Sequence, residues 1–300
     1  MTENVAVSVK PNGVPQELIP SDWAALGATR GYDPRKAHEL RLWILGPSGE
    51  GKSTFASSIP QTLILDFEDG VRAIPGQRAT RIHVPNYDKY RTVVDKLLAE
   101  ARVGKFTWKR VIVDTVDGWV QLMNINLSNE LGIDDVTEMA RGSGYSKLKK
   151  RCWADIAELE GAGYTWGCVG HITSKNVVNP VTKQESTVVS PLLYDSFASL
   201  IQMQADVQCM MWNIVKEEPK MEKMTLPGGQ VKMIQKGTTH VSKYYMSISE
   251  GGAGQGTTKA RGVPCLSGKI EVPIVDGWQE FARVYSDAVE KTRKEYGPKV

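Results

Sequence analysis

The sequence lacks the ingredients of a metal-bound or disulfide-stapled scaffold. Cys152, Cys168, Cys209 and Cys265 stand more than ten residues apart with no CxxC pair, and His38, His83, His171 and His240 are equally scattered. A zinc ribbon and a disulfide framework are thereby excluded. No run of eighteen apolar residues is present, which excludes a helical membrane span. The opening MTENVAVSVKPNGVPQE has neither the basic flank nor the apolar stretch of a secretory signal, so the expected compartment is the cytoplasm. A charge excess is missing too: 37 basic residues against 34 acidic ones leave +3, so any affinity for nucleic acid has to come from a local basic groove. What remains is 300 residues with 41% hydrophobic and 24% charged side chains, which suits one large globular domain or two small ones.

Residues 1–35 hold prolines and glycines without helical period and read as an extension, with Val5 to Val9 as a possible edge strand toward the core or a neighbouring subunit. From there to residue 300 the pattern is that of one α/β core. Short wholly apolar runs, Leu40–Leu45, Thr62–Asp66, Arg110–Asp114 and Tyr164–Gly170, alternate with amphipathic stretches at Asp88–Arg102 and Lys147–Leu159. Strands without polar alternation are those covered by helices on both faces, as in a mainly parallel sheet. After Ala205 the texture changes to longer, alternating strands such as His240–Ser249, a β-rich C-terminal portion closed by a helix from Gly277 to about Lys294.

The run Leu42-Trp43-Ile44-Leu45 leads into Gly46-Pro47-Ser48-Gly49-Glu50-Gly51-Lys52-Ser53-Thr54, which satisfies GxxxxGK[ST] between a strand and a helix. Glycines let successive N–H groups turn inward around phosphates, and the following helix start adds free donors and its positive end. Lys52 supplies a charge between the terminal phosphates of ATP, and the Ser53 hydroxyl is a ligand for Mg²⁺. A second acid for the metal is expected at the end of a buried strand beside the loop, and Arg110-Val111-Ile112-Val113-Asp114 provides it. No glutamate follows Asp114. Glu68, just past the second strand in Leu63-Ile64-Leu65-Asp66-Phe67-Glu68-Asp69-Gly70, faces the same crevice and is the candidate base, the alternative being turn chemistry.

These motifs, with Cys168-Val169-Gly170-His171 and with Ala205-Asp206-Val207 followed later by Lys259-Ala260-Arg261, resemble a RecA-core P-loop ATPase, and within that group the phage-encoded nucleotide-binding proteins that include single-strand annealing ATPases. The resemblance spans roughly Leu40 to Pro273. It implies Glu68 as the water-activating acid. It puts His171 where a polar residue, often glutamine, senses the terminal phosphate. It implies Lys259 and Arg261 as cations reaching a neighbour's nucleotide; on their own they read equally as two exposed loop charges.

Two segments are candidate DNA contacts. Arg141 to Arg151, with Lys147, Lys149 and Lys150, carries five basic residues and no acid, and its glycines suggest a mobile helix start; the alternative is a solvated helix face. Ile172 to Ser190, with Lys175 and Lys183, reads as a long polar loop. The resemblance places the two DNA loops of RecA-like proteins in these intervals. Neither has paired aromatics, so contact with single-stranded DNA is expected to be backbone-driven and salt-sensitive. The resulting expectation is an ATP- and Mg²⁺-dependent, DNA-stimulated hydrolase. It would assemble as a ring or filament on single-stranded DNA for annealing or pairing in phage recombination, in the host cytoplasm, with a single-strand-binding protein as a further partner. The rival readings are a motor or loader acting on a protein in phage DNA replication, a small-molecule kinase, and a non-hydrolysing scaffold.

Overall fold

A computed structural model describes residues 34–69, 74, 77–178, 185–225, 231–248 and 259–296. Val5 to Val9, Lys183 and most of the glycine-rich stretch lie outside them.

Nine strands form one sheet. Its centre is β1 (Leu42–Leu45), β2 (Thr62–Asp66), β3 (Thr80–His83), β4 (Arg110–Asp114), β5 (Thr165–Gly170) and the start of β8 (Val207–Thr225), all parallel, in the order β8-β1-β5-β4-β2-β3. β1, β2 and β4 are buried at every residue, as their unbroken apolar runs require. Toward the other edge β9 (Val231–Ile248) pairs antiparallel with β8, β11 (Gly268–Val272) with β9, and the two-residue β10 (Lys259–Ala260) with the start of β8. The structure thus has an α/β sheet of mainly parallel strands with a β-rich C-terminal portion.

Helices cover both faces. One core gathers α2 (Tyr87–Arg102), α3 (Val116–Leu131), α4 (Ser143–Gly161) and α5 (Asp195–Gln204) through Tyr90, Trp119, Leu148 and Ile201. The other packs α1 (Lys52–Ser57) and α6 (Gly277–Tyr296) through Phe55, Trp278 and Phe281. Asn86 caps α2 by accepting from the Lys89 N–H, and Thr115 caps α3 by accepting from the Gly118 N–H. Buried Arg110 donates to the Leu40 and His38 carbonyls at 2.6 and 2.9 Å and lies over the Trp278 ring, fastening the chain ahead of β1. Burial lowers its pKa to about 10.

Three expectations need correction. The acid strand β4 is not beside β1: β5 lies between them. The segment 172–190 is not loop throughout, because β6 (Ile172–Val178) and β7 (Glu185–Pro191) pair antiparallel as a hairpin whose register starts at Ile172 opposite Pro191, residues 179–184 lying outside the described ones. Ile172, Thr173, Val177 and Val178 on one strand and Thr187, Val188 and Val189 on the other are strand formers, which the polar composition concealed. The strand expected from His240 begins at Val231 and belongs to a ribbon that leaves the sheet after Met210, the last β8 residue paired with β1. In the first turn of α4 Gly144 is buried, where a Cβ would lie 2.0 Å from the Val136 carbonyl oxygen, while a Cβ on Gly142 would meet nothing within 4 Å.

Candidate functional site

At the carboxyl end of β1 the chain turns through Gly46, where a Cβ would lie 2.4 Å from the Met211 carbonyl oxygen, and then through the loop to α1. Gly51, at φ 81°, starts the helix; a Cβ there would meet the Tyr244 ring at 2.6 Å. Two positions therefore admit only glycine, one for close approach and one for approach plus a left-handed backbone. The loop residues Ser48 to Thr54 line a cavity of about 520 Å³, shared with Asp66, Glu68, Ile74, Asp114, Thr115, His171 and Tyr244. The Lys52 ammonium donates to the Pro47 carbonyl at 2.6 Å. Burial pulls the Lys52 pKa down, and the charges of Asp114, Asp117 and Glu68 oppose that pull.

β4 ends in Asp114, buried and hydrogen-bonded by Ser53. Burial pushes its pKa up to about 6, with Glu68 adding to the rise and Ser53, Lys52 and His171 opposing it. The Asp114–Thr115 peptide is cis. The Phe67 N–H donates to the Asp114 carbonyl at 2.8 Å, so the segment bearing Glu68 is hung directly on the acid strand. The Thr115 hydroxyl donates to Glu68 Oε1 at 2.5 Å, and the Glu68 N–H donates to Asp66 at 3.1 Å. Asp66 is in turn held by Arg81 from β3, which also faces Asp69.

His171 follows β5, the strand interposed between loop and acid. Its Nδ1–H donates to Asp117 Oδ2 at 2.6 Å and its backbone N–H to Asp117 Oδ1 at 3.1 Å, while Glu68 Oε1 lies 3.7 Å from Nδ1. An ionised carboxylate only accepts, so Nδ1 carries the proton and Nε2 is the free nitrogen. The hydrogen bond to Asp117 raises the His171 pKa, against desolvation and the Lys52 charge. Burial alone would raise the Asp117 pKa, but its hydrogen bonds from His171 hold it low.

Three participants escaped the sequence reading. Asp117 and Thr115 sit in VIVDTVDG beside the expected Asp114, and their spacing on the first turn of α3 was a usable signal. Tyr244 comes from a distant strand and had no local signal. Glu50 is also engaged beyond the loop, its carboxylate accepting from the Asn213 backbone N–H of β8.

Other expected residues are elsewhere. Lys147 and Lys150 are exposed on α4 and Lys149 is half-buried. Arg151 is taken up by Glu130, the Tyr87 hydroxyl and the Tyr87 ring. Arg141 lies in a short 3-10 turn before α4, and Lys175 lies on β6. Lys259 pairs with Gln208 at the amino end of the parallel strands, the rim opposite the phosphate cavity. Arg261 is there too, its N–H on the Asp206 carbonyl at 2.7 Å and its guanidinium on the Met203 carbonyl. Neither belongs to this chain's own cavity.

The site fits a nucleotide's phosphate chain: the cradle excludes Cβ atoms, a buried ammonium enters it, and free helix donors close it. Ser53 and Asp114 together supply the hydroxyl and carboxylate oxygens that suit magnesium. Fold and cradle define a P-loop nucleotide-hydrolysing protein. A family model described as an AAA domain matches residues 38–244, more than half of the chain, and the chain belongs to that family. No curated protein matches it. Among the described residues no helix is long and apolar enough to cross a membrane.

Proposed function

We propose that this P-loop ATPase hydrolyses ATP with Mg²⁺, assembles as a homo-oligomeric ring or filament on single-stranded DNA, and promotes strand annealing or pairing in phage recombination. Lys52 and the loop amides bind and orient the phosphates. Ser53 and Asp114 would hold the magnesium, which when bound offsets phosphate charge. Glu68, oriented by Thr115, accepts the proton of the attacking water. His171, fixed by Asp117, offers Nε2 to the terminal phosphate.

The observation that supports the DNA part is the position of His171. It lines the nucleotide cavity, and its carbonyl accepts from the Leu192 N–H at 2.8 Å, closing the root of the β6–β7 hairpin. Tyr194, just past the hairpin, packs on Tyr145 of α4 with ring centroids 4.4 Å apart, and both flank Lys149. The chain just past the hairpin thus packs on α4, and His171 at the hairpin's root lines the phosphate cavity.

The test is steady-state ATP hydrolysis with and without single-stranded DNA at two salt concentrations. Stimulation that fades at higher salt is expected, abolished with hydrolysis in Lys52→Ala. Glu68→Gln should lose about 10²-fold or more in turnover while still binding nucleotide. Lys147→Glu with Lys150→Glu should keep basal hydrolysis and lose stimulation. Hydrolysis indifferent to DNA in the wild type would sink the proposal and favour a motor or loader acting on a protein.

A further inference from the structure

Where the β8–β9 ribbon leaves the sheet, its two faces carry different chemistry. On one face the Tyr244 ring covers Gly51 of the phosphate loop, and from the strand edge the Asn213 backbone N–H donates to Glu50. Strand side chains alternate, so the residues next to these point to the opposite face. Those residues are Trp212 and Tyr245. They stand directly across from each other in the register, with ring centroids 6.2 Å apart and planes at 27°. The fold has built, back to back with the phosphate loop, the paired aromatics that neither basic segment contains.

The cover on this pair is cationic. Lys269 of β11 places its ammonium 3.7 Å from the Tyr245 centroid and 5.3 Å from that of Trp212, and Lys216 lies 5.7 Å from Tyr245. Tyr245 is 6% exposed under these side chains and Trp212 is half-buried. Glu271, directly opposite Tyr245 in the register, and Glu218 share this face, but both are held by Lys243; among the described residues Lys216 and Lys269 have no carboxylate within ion-pair distance. An apolar partner would be poorly served by ammonium groups lying on the rings. A ligand with alternating flat bases and phosphates is suited to both: a base takes the ring face, and the displaced lysine takes the adjoining phosphate.

We infer that Trp212 and Tyr245, with Lys216 and Lys269, form a stacking site for single-stranded nucleic acid on the sheet face behind the phosphate loop. It rests on the single-strand reading above and assigns that strand a contact outside α4 and the β6–β7 hairpin. Its placement also gives a direct mechanical link. Trp212 and Tyr245 each adjoin in sequence a residue that touches the loop, so a strand seated on the platform and a nucleotide seated in the cavity act on the same two stretches of backbone.

The test is fluorescence anisotropy of a labelled oligothymidine against the full chain, at low and moderate salt, with oligothymidine duplexed to oligoadenine as the control. One stacked base is worth about 1–3 kcal/mol, so Trp212→Ala should weaken single-strand binding by roughly 5- to 150-fold. Trp212→Phe keeps a ring and should stay within about 3-fold of wild type. Lys216→Glu with Lys269→Glu changes two exposed side chains, leaves the rings in place, and should lower the salt slope by about 1 to 2. Nucleotide affinity, read with a fluorescent ATP analogue, should be retained in all three, which checks folding.

Platform variants that bind the single strand as tightly as the wild type would overturn the inference while leaving the single-strand reading intact. Equal losses for single strand and duplex would overturn stacking in favour of simple charge attraction. A wild type that binds no single strand would overturn both readings.

Discussion

Asp117 holds His171 by two hydrogen bonds, one to the ring Nδ1 at 2.6 Å and one to the backbone N–H at 3.1 Å, so a single carboxylate fixes both the tautomer and the position of the residue between phosphate loop and hairpin. The ligand atoms of Asp117, His171 and Glu68 all lie within 4.8 Å of one another. Replacing Asp117 by Asn removes the main influence that raises the His171 pKa and leaves desolvation and the Lys52 charge, which lower it, opposed only by the Glu68 charge. NMR titration of the imidazole should find His171 above its ordinary value in the wild type and at or below it in Asp117→Asn. The sign for stability follows. The raised His171 pKa contributes stability that is full below about 6.5 and is lost as pH rises through the folded value. The depressed Asp117 contributes stability present above about 3.9 and lost as pH falls through its folded value. An imidazole that titrates identically in both proteins would remove the basis for this positioning role.

Gly51 and Tyr244 make a second pair whose separation decides an outcome. Gly51→Ala forces a Cβ to within 2.6 Å of the ring at a backbone φ of 81°, and both effects oppose folding. The expected cost is about 1–3 kcal/mol in urea unfolding, with at least a tenfold loss of nucleotide affinity. Adding Tyr244→Ala removes the clash and leaves only the backbone penalty of about 1 kcal/mol. Equal destabilisation in single and double variants would mean the ring is not what closes the loop.

The amino ends of β1 and β8 are joined by a buried ion pair. Asp206 accepts from the Arg41 backbone N–H at 2.9 Å and from its guanidinium at 3.1 and 3.0 Å, with Glu160 taking a further guanidinium hydrogen bond at 3.2 Å. Burial would raise the Asp206 pKa, but these bonds from Arg41 hold it low. Asp206→Asn leaves the guanidinium with Glu160 alone and should cost about 3 kcal/mol. Because the Asp206 pKa is depressed, its contribution is full above about 3.9 and disappears as pH falls through the folded value. The variant should therefore flatten the acid limb of the stability curve, measured by thermal unfolding between pH 3 and 7.

Thiol chemistry separates core from surface. Cys152, Cys168 and Cys209 are buried, and burial pushes all three thiols up, Cys209 to about 12, so none is a thiolate at neutral pH. Cys265 is partly exposed. A disulfide reagent should modify one thiol per native chain and four after unfolding. Loss of the fast thiol in Cys265→Ser would confirm the assignment, and fast labelling of a second cysteine would contradict the burial of the core.

Much of this molecule was legible from local pattern. Thr62–Asp66 and Arg110–Asp114 are strands with the bounds their apolar runs implied, because a strand covered on both faces has no polar alternation to blur its ends. The phosphate loop was equally plain, since its glycines and lysine act within nine consecutive residues. Thr80–His83 was not seen: it is a half-exposed edge strand whose burial carries little apolar signal. Residues 172–178 and 185–190 were misread because loop-like composition and strand-forming side chains coincide there, and the pairing of β6 with β7 decides between them.

The sequence by itself determined the phosphate loop, the buried strands and the carboxylates at their ends, because each is specified by neighbours a few residues away. Only the tertiary structure decided which strands stand side by side, and with that β5 between loop and acid, His171 on Asp117, and Tyr244 over Gly51. It also moved Lys259 and Arg261 to the far rim and set Trp212 against Tyr245 behind the loop. These pairings join residues separated by tens to hundreds of positions, and their free energy comes from burial and register across the sheet, quantities that no local window of sequence contains.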